Sequence, residues 1–463
     1  LQRASRMSAG PESARAPIRR RVPGQSREAP GRRIAKRPRG GKVTPGPPPA
    51  GGSRPGVGPG WRGPQGALAA DLSGSITARR GSAQSAKEAN GMLELTNLRH
   101  GDILNHDDGT ETADGLAIRV EGLAEPGALV LVNGQRADLV GRRFRAPVKL
   151  TRRFNDIVVS SQDKHGECQR RIRVVWDRAS FRRYNFFTDD NAFFLTDIAR
   201  QGARSLFDHF YLDFLRRMHR EYGTKFTVNL FYHNDHHDFS LSDFPDRYRG
   251  EWRDNADWLK LSFHGHSEFP DRPYGEPDGR ALAADYDRMQ AEVARFAGEQ
   301  TFYPPTVIHW AMVHPRAIRV LAKRGVRVLS GAFMGPPAPA DEPDIQFRTA
   351  DIGYFQDTET ALYLESRRVL YDVEQDVVFH KTDFCANLTP LPAVISTVSA
   401  ASNSPVYRDT LSLMTHEQYF FTYYHNYIPD HRERVEAALR YVTEQGYQPI
   451  FFNEGLLGNP ACP

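Results

Sequence analysis

Asp189-Asp190, His233, His264, His309-Trp310, Asp383, His416-Glu417 and Asn453-Glu454 each follow directly on a short apolar run. Imidazoles and carboxylates of this kind can hold a divalent ion, since nitrogen and oxygen ligands both suit the first-row transition metals. They can also move protons as general acids and bases. A carboxylate pair drawn from Asp189, Glu268, Asp383 and Glu417 would suit metal-free glycoside hydrolysis, which needs about 5–10 Å between the two carboxyl groups. A residue set that recurs at the ends of successive runs points to one site assembled from many segments.

The elements that would position such a site read as alternating strands and helices. The runs are YNFFT, KFTVNLFY, WLKLSF, TVI, VRVLS, VVFHKT, SLMT and QPIFF, all β-rich and short. Helical periodicity is expected over 204–222, 280–297, 315–324 and 429–445, where Leu206, Phe210, Phe214 and Met218 form one apolar stripe. Pro315 and Pro429 suit helix starts, and Gly223, Gly325 and Gly446 suit helix ends. Alternation of this sort favours a largely parallel sheet, and in a parallel β/α barrel the strand carboxyl ends share one face.

Composition divides the 463 residues unevenly. Residues 1–90 hold 18 Lys+Arg against 4 Asp+Glu, leaving 43 of the 61 basic and 52 of the 56 acidic residues for the remainder. The body of the chain is therefore mildly acidic, and the overall charge of +5 carries no message about nucleic acid. Residues 1–91 are rich in Arg, Gly, Pro and Ser, and are expected to be a disordered tail. Residue 1 is Leu, whereas Met92 opens ordered-looking sequence, so translation is expected to start at Met92. Residues 92–177 read as a small all-β, immunoglobulin-like sandwich, with Asn133-Gly134 as a hairpin turn. Residues 178–463 form the expected β/α region. Three cysteines without metal-type spacing, no secretory core and no apolar run of membrane length suggest a cytoplasmic protein without a membrane partner, with the cell surface or extracellular space, which a sandwich and a carbohydrate substrate would suit, as the alternative.

Several motifs in this second region resemble the polysaccharide deacetylase superfamily, over roughly residues 184–455. They are FFTDDN at 186–191, SFHGHSEFP at 262–270 and LMTHEQYF at 413–420. The resemblance implies a distorted (β/α) barrel, with Asp189 as catalytic base, Asp190 as metal ligand, His264 as a second ligand and His416 as general acid. It also implies a second histidine four residues after His264, where this chain has Glu268. The ligand set then becomes Asp-His-Glu, or Asp-His-His through His266. Arg272 of PDRPY would fix the catalytic aspartate. The whole of 92–463 is similar to a bacterial group of glycoside hydrolase and deacetylase β/α-barrel proteins, through NLRHGDILNH, NDHHDF, KLSFHGHSEFPDRPY and HEQYFF.

The implied activity is metal-dependent removal of N-acetyl groups from a carbohydrate or related small molecule. One divalent ion is expected, zinc first, with nickel, cobalt, iron or manganese as alternatives. Asp235 and His237 are expected at the rim, His309, Trp310 and Tyr419 at the wall, and Asp383 and Glu417 beside the His416 imidazole. The competing readings are a metal-independent glycoside hydrolase and a non-catalytic carbohydrate-binding barrel. Blander roles exist for each residue: Asp189-Asp190 could cap a helix, and His309-Trp310 could be a packed core pair.

Overall fold

The computed structural model describes residues 92–269, 274–333, 353–354 and 356–463. The expected tail, residues 1–91, and Arg272 lie outside the described residues.

The first part is all β. Strand Gly115–Ala124 alternates in burial, with Leu116, Ile118 and Val120 inward and Ala117 and Arg119 outward, as a half-buried strand requires. It pairs with Leu93–Leu95, Gly109–Thr112 and Arg143–Leu150. A second sheet joins Ile103–Leu104, Gly166–Trp176, Phe154–Asp163, Leu129–Val132 and Gln135–Arg136. Asn133 and Gly134 turn the last hairpin with φ of 47° and 79°, the left-handed pair that a two-residue turn needs. Leu116, Val120 and Phe144 of one sheet share a buried cluster with Val130, Ile157, Val159 and Val174 of the other.

From Arg183 the pattern becomes mixed α/β. Strand Arg183–Asn191 is flanked in parallel by Phe226–Phe231 on one side and Thr410–His416 on the other. Leu259–Gly265 and Phe384–Cys385 extend the sheet at its two edges, also in parallel. These strands are buried on both faces, as parallel strands covered by helices must be. A separate sheet carries Val328–Gly331, Val377–Lys381 and Val369–Asp372.

Among the described residues the sheet does not close into a barrel. The expected strand at Thr306–Ile308 does not form, because Pro304 and Pro305 precede it and have no N–H to donate. Single bonds bridge the gap: Tyr303 N–H to Leu261 O at 2.9 Å, and Ser330 N–H to Thr306 O. The helical reading of 204–222 also divides in two. Ser205 starts a single turn at Leu206–Asp208, and the His209 ring nitrogen caps a second start, giving helix Phe210–Tyr222. Helices Arg280–Phe296 and His431–Glu444 fall where periodicity places them. No helix among the described residues is long and apolar enough to cross a membrane.

Below the sheet, buried ion pairs tie the β-rich part to the rest. Arg183, fully buried, donates to Asp177 at 2.8 Å, and Tyr407 and Asn459 donate to the same carboxylate. A buried guanidinium needs such pairing to offset its lost hydration.

Candidate metal centre

The centre begins with an irregularity in the strand Arg183–Asn191. Its register with Phe226–Phe231 shifts between Thr188 and Asn191, and Asp190 takes φ of 58°. Aspartate tolerates this left-handed conformation better than most residues. A bulge of this type re-aims side chains at a strand end, and here it aims both carboxylates inward. The helix Phe193–Gln201 follows at once. Its first amides, from Ala192, Phe193 and Phe194, donate to Glu417 at 2.7, 2.9 and 2.6 Å. Glu417 thus fixes the turn that presents Asp190 by satisfying a helix N-terminus. Burial pushes its carboxyl up to about 8, against the pull of the three amides.

Asp190 faces three histidines from three other segments. His264 leaves the end of strand Leu259–Gly265, with its Nε2 3.1 Å from Asp190 Oδ1. His309, in a turn after Ile308, places Nδ1 3.5 Å from the same oxygen. The two imidazoles approach at 3.2 Å, His309 Nδ1 to His264 Nε2. His416, at the end of strand Thr410–His416, lies with Nε2 3.8 Å from Asp190 Oδ2. The Phe231 ring meets both His264 and His309, at 5.1 and 4.8 Å, and closes the apolar side.

The hydrogen bonds around these rings decide which nitrogen faces inward. His309 Nε2 donates to the Glu268 carbonyl at 3.1 Å, which leaves Nδ1 with its lone pair toward Asp190. His416 Nδ1 donates to the Asn387 side-chain oxygen at 2.9 Å, leaving Nε2 turned to Asp190. Outer partners of this kind commonly set the tautomer of metal-binding histidines. Burial lowers the His264 imidazole to about 4, so it is neutral across the physiological range. Burial opposes ionisation of Asp190 too, but its carboxyl stays well below the usual range, with the facing His416 the largest influence holding it down.

Asp189 is the opposite case. Burial first, and then the neighbouring Asp190 charge, push its carboxyl well above the ordinary value, although Asn229 Nδ2 donates to its Oδ1 at 2.7 Å. Two adjacent carboxylates with affinities driven apart divide naturally into a proton carrier and a permanent anion.

A metal ion fits the inner group. Ligand atoms at ~2.0–2.1 Å from a tetrahedral ion sit roughly 3.3 Å apart. The three edges among Asp190 Oδ1, His264 Nε2 and His309 Nδ1 are 3.1, 3.5 and 3.2 Å. Asp190 Oδ1 is also buried without a hydrogen-bond partner, the state expected of an atom that has another ligand to bind.

The expected third ligands sit elsewhere. The Glu268 carboxylate takes His236 Nε2 at 2.6 Å. His266 leaves the strand, stacks on Tyr232 and points to Asp285 at 3.8 Å. The place that spacing gives to Glu268 or His266 is filled by His309, which was expected at the substrate wall. The Asp383 side chain, 2% exposed, is held by Arg368, which donates to both its oxygens at 3.1 and 2.8 Å, and Glu417 is buried against the start of helix Phe193–Gln201. Neither touches His416, whose ring is instead held by Asn387. Tyr419 stands beside His416 with ring centroids 6.1 Å apart. Trp310, next to His309 and with φ of 58°, is exposed, as is Phe269. Asp235 accepts the Phe269 N–H at 3.0 Å, and His237 packs edge-on to Phe193. Sequence reading missed Asn229 and Asn387. The signal for Asn229 was an amide inside a fully buried strand that is apolar but for Thr227; Asn387 lies in a turn and gave none.

No family model matches this chain, and no curated protein does. Among solved structures, a peptidoglycan N-acetylglucosamine deacetylase bound to an N-oxidanyl-benzamide aligns with 58% of this chain and 85% of its own, at 11% identity and a TM-score of 0.27. A candidate alpha-galactosidase from Bacteroides fragilis covers 76% of this chain and 79% of its own, at 11% identity and a TM-score of 0.24. A chimeric titin Z1Z2 aligns with 19% of this chain, at 7% identity and a TM-score of 0.14. Superpositions this loose carry no argument about the chemistry, which rests on the side chains themselves.

Proposed function

We propose that this chain is a metal-dependent hydrolase of carbon–nitrogen bonds, removing N-acetyl groups from a carbohydrate or related small molecule. The observation that carries this reading is the triangle of Asp190, His264 and His309, whose edges suit one tetrahedral ion. That ion, zinc first, would supply Lewis acidity toward an acyl oxygen and a water.

The chain's own groups do the rest. Asp189, raised in proton affinity and held by Asn229, takes the proton from an attacking water. To act as the acid, His416 must carry a second proton on Nε2 while its Nδ1 stays tied to Asn387; it hands that Nε2 proton to the departing amine, and the proton taken up by Asp189 then restores the pair. Phe231 excludes solvent from the apolar side, and the exposed Trp310 and Phe269 offer faces on which a sugar ring can stack. The scaffold is an open relative of the deacetylase barrel, preceded by an immunoglobulin-like module; neither nucleic acid nor a membrane is part of the reading.

Carboxylate engagement favours this account over a glycosidase. Glu268 is held by His236, Asp383 by Arg368, and Glu417 by three amides. Of the four carboxylates only Asp189 remains at the centre. The direct test is acetate release from N-acetylglucosamine oligomers by the full chain, loaded with zinc and then stripped with a chelator. Release that stops with the chelator and returns with zinc supports the proposal; release indifferent to the chelator overturns it.

A further inference from the structure

We infer that His106, Asp107 and Asp409 form a second divalent-cation site, which joins the β-rich part to the base of the His416 strand. His106 Nε2 lies 3.4 Å from Asp409 Oδ2 and 4.0 Å from Asp107 Oδ1, and its Nδ1 lies 3.9 Å from Glu111 Oε2. One ligand atom from each of His106, Asp107 and Asp409 falls within 4.8 Å of the others.

Buried, unanswered oxygen is what turns this cluster into a site. Asp409 is 4% exposed, and the Asp107 side chain is 6% exposed. The Oδ2 atoms of both are buried and lack a hydrogen-bond partner. A buried carboxylate oxygen left in that state is costly in general, so an ion, a charge or a water has to answer it. Arg408 answers only Asp107 Oδ1, at 2.7 Å. Arg183, the other nearby cation, donates to Asp177. Two carboxylates facing one arginine leave negative charge over, with Glu111 adding to it.

One imidazole and two carboxylates suit zinc or manganese better than calcium or magnesium, which prefer all-oxygen shells. His106 is 40% exposed, so an ion can enter from solvent. Once bound, it would link the turn after strand Ile103–Leu104 to the residue before strand Thr410–His416. The edges here are longer than in the first centre, and a site of this form acts as a structural staple.

The test uses the full chain carrying Asp190→Asn and His264→Gln, which disables the first centre. The protein is stripped of metal and titrated calorimetrically with zinc chloride and, separately, manganese chloride, with a melt at each end point. The inference expects one saturable equivalent and a melting temperature raised by ~2–5 °C. Adding His106→Gln, at a side chain 40% exposed, is expected to weaken that equivalent at least 10-fold. Two results overturn the inference. One is the absence of a saturable equivalent for either metal. The other is binding that His106→Gln leaves unchanged, in which case the imidazole serves only as a counter-charge to the two aspartates.

Discussion

The two histidine-and-carboxylate clusters lie at opposite ends of strand Thr410–His416 of the central sheet but are built differently. At the top of the sheet, two of the facing histidines have their second nitrogen tied, His309 to a carbonyl and His416 to an amide oxygen. Distances within the inner triangle stay between 3.1 and 3.5 Å. At its base, His106 is half-exposed, its partners lie at 3.4 and 4.0 Å, and Arg408 competes for one of them. On the proposed reading, pre-orientation, more than donor identity, is what separates a centre for reaction from one for cohesion.

The largest break in this comparison comes from the inner triangle. Asp190→Asn or His309→Gln is expected to abolish stoichiometric metal at the upper centre and lower N-acetyl hydrolysis by ~1,000-fold or more, the scale of several kcal/mol that a metal contributes. Elemental analysis beside an acetate assay reads both. Full activity in His309→Gln would return the third-ligand role to Glu268 or His266. Next comes Glu417→Ala. It strips three buried amides of their acceptor, so unfolding in denaturant should show a loss of ~3 kcal/mol, about one for each donor left unpaired. An unchanged midpoint would mean that water enters and replaces the carboxylate.

His309 and Glu417 also show how far the sequence could be read. The Asp-Asp pair, His264 and His416 were legible because each ends an apolar run, and parallel strands bring such ends together. His309 was legible as a residue but not as a ligand. Its strand was expected from TVI, yet Pro304-Pro305 prevent pairing, and the chain turns through left-handed Trp310 and Ala311 to bring the imidazole over Asp190. Glu417 was misplaced for a similar reason. The pattern shows a carboxylate after a histidine, but not that a helix begins beside it at Phe193, where the sequence offers no side-chain cap of its own. Closure of the sheet likewise depended on that proline-interrupted run, which is why a barrel was the natural expectation and an interrupted sheet is what forms.

Pre-orientation itself can be removed while the ligands stay. Asn387→Ala and Asn229→Ala free the His416 and Asp189 side chains in turn, and each is expected to slow turnover by about 10–100-fold. Metal content should stay near that of the parent. A fall in the bound metal that matches the fall in rate would assign these amides to the metal, not to proton transfer.

Acid exposes a third group of histidines that neither cluster uses. His380 and His431 are buried, and burial lowers them to about 4 and about 3. Both are neutral in the fold but take up a proton near 6.5 once unfolded. Their contribution is therefore complete above 6.5 and is lost as pH falls from there toward 4 and 3, with a slope of up to ~1.4 kcal/mol per unit for each histidine. Melts between pH 7 and 4.5 should show the decline, and His431→Gln should flatten it. A parallel decline in that variant would place the acid sensitivity elsewhere.

The smallest effect is the most discriminating for the upper centre. Spacing alone makes Glu268 a ligand, whereas the folded chain gives its carboxylate to His236 and uses only its backbone carbonyl to orient His309. Glu268→Gln keeps that carbonyl and weakens a partly exposed pair worth about 0–1 kcal/mol. Zinc affinity is therefore expected to change by no more than about 5-fold, far less than for His309→Gln, when the two variants are titrated side by side. If Glu268→Gln instead matches His309→Gln, the carboxylate must swing from His236 to the ion on binding, and His236 would be its parking place in the metal-free chain.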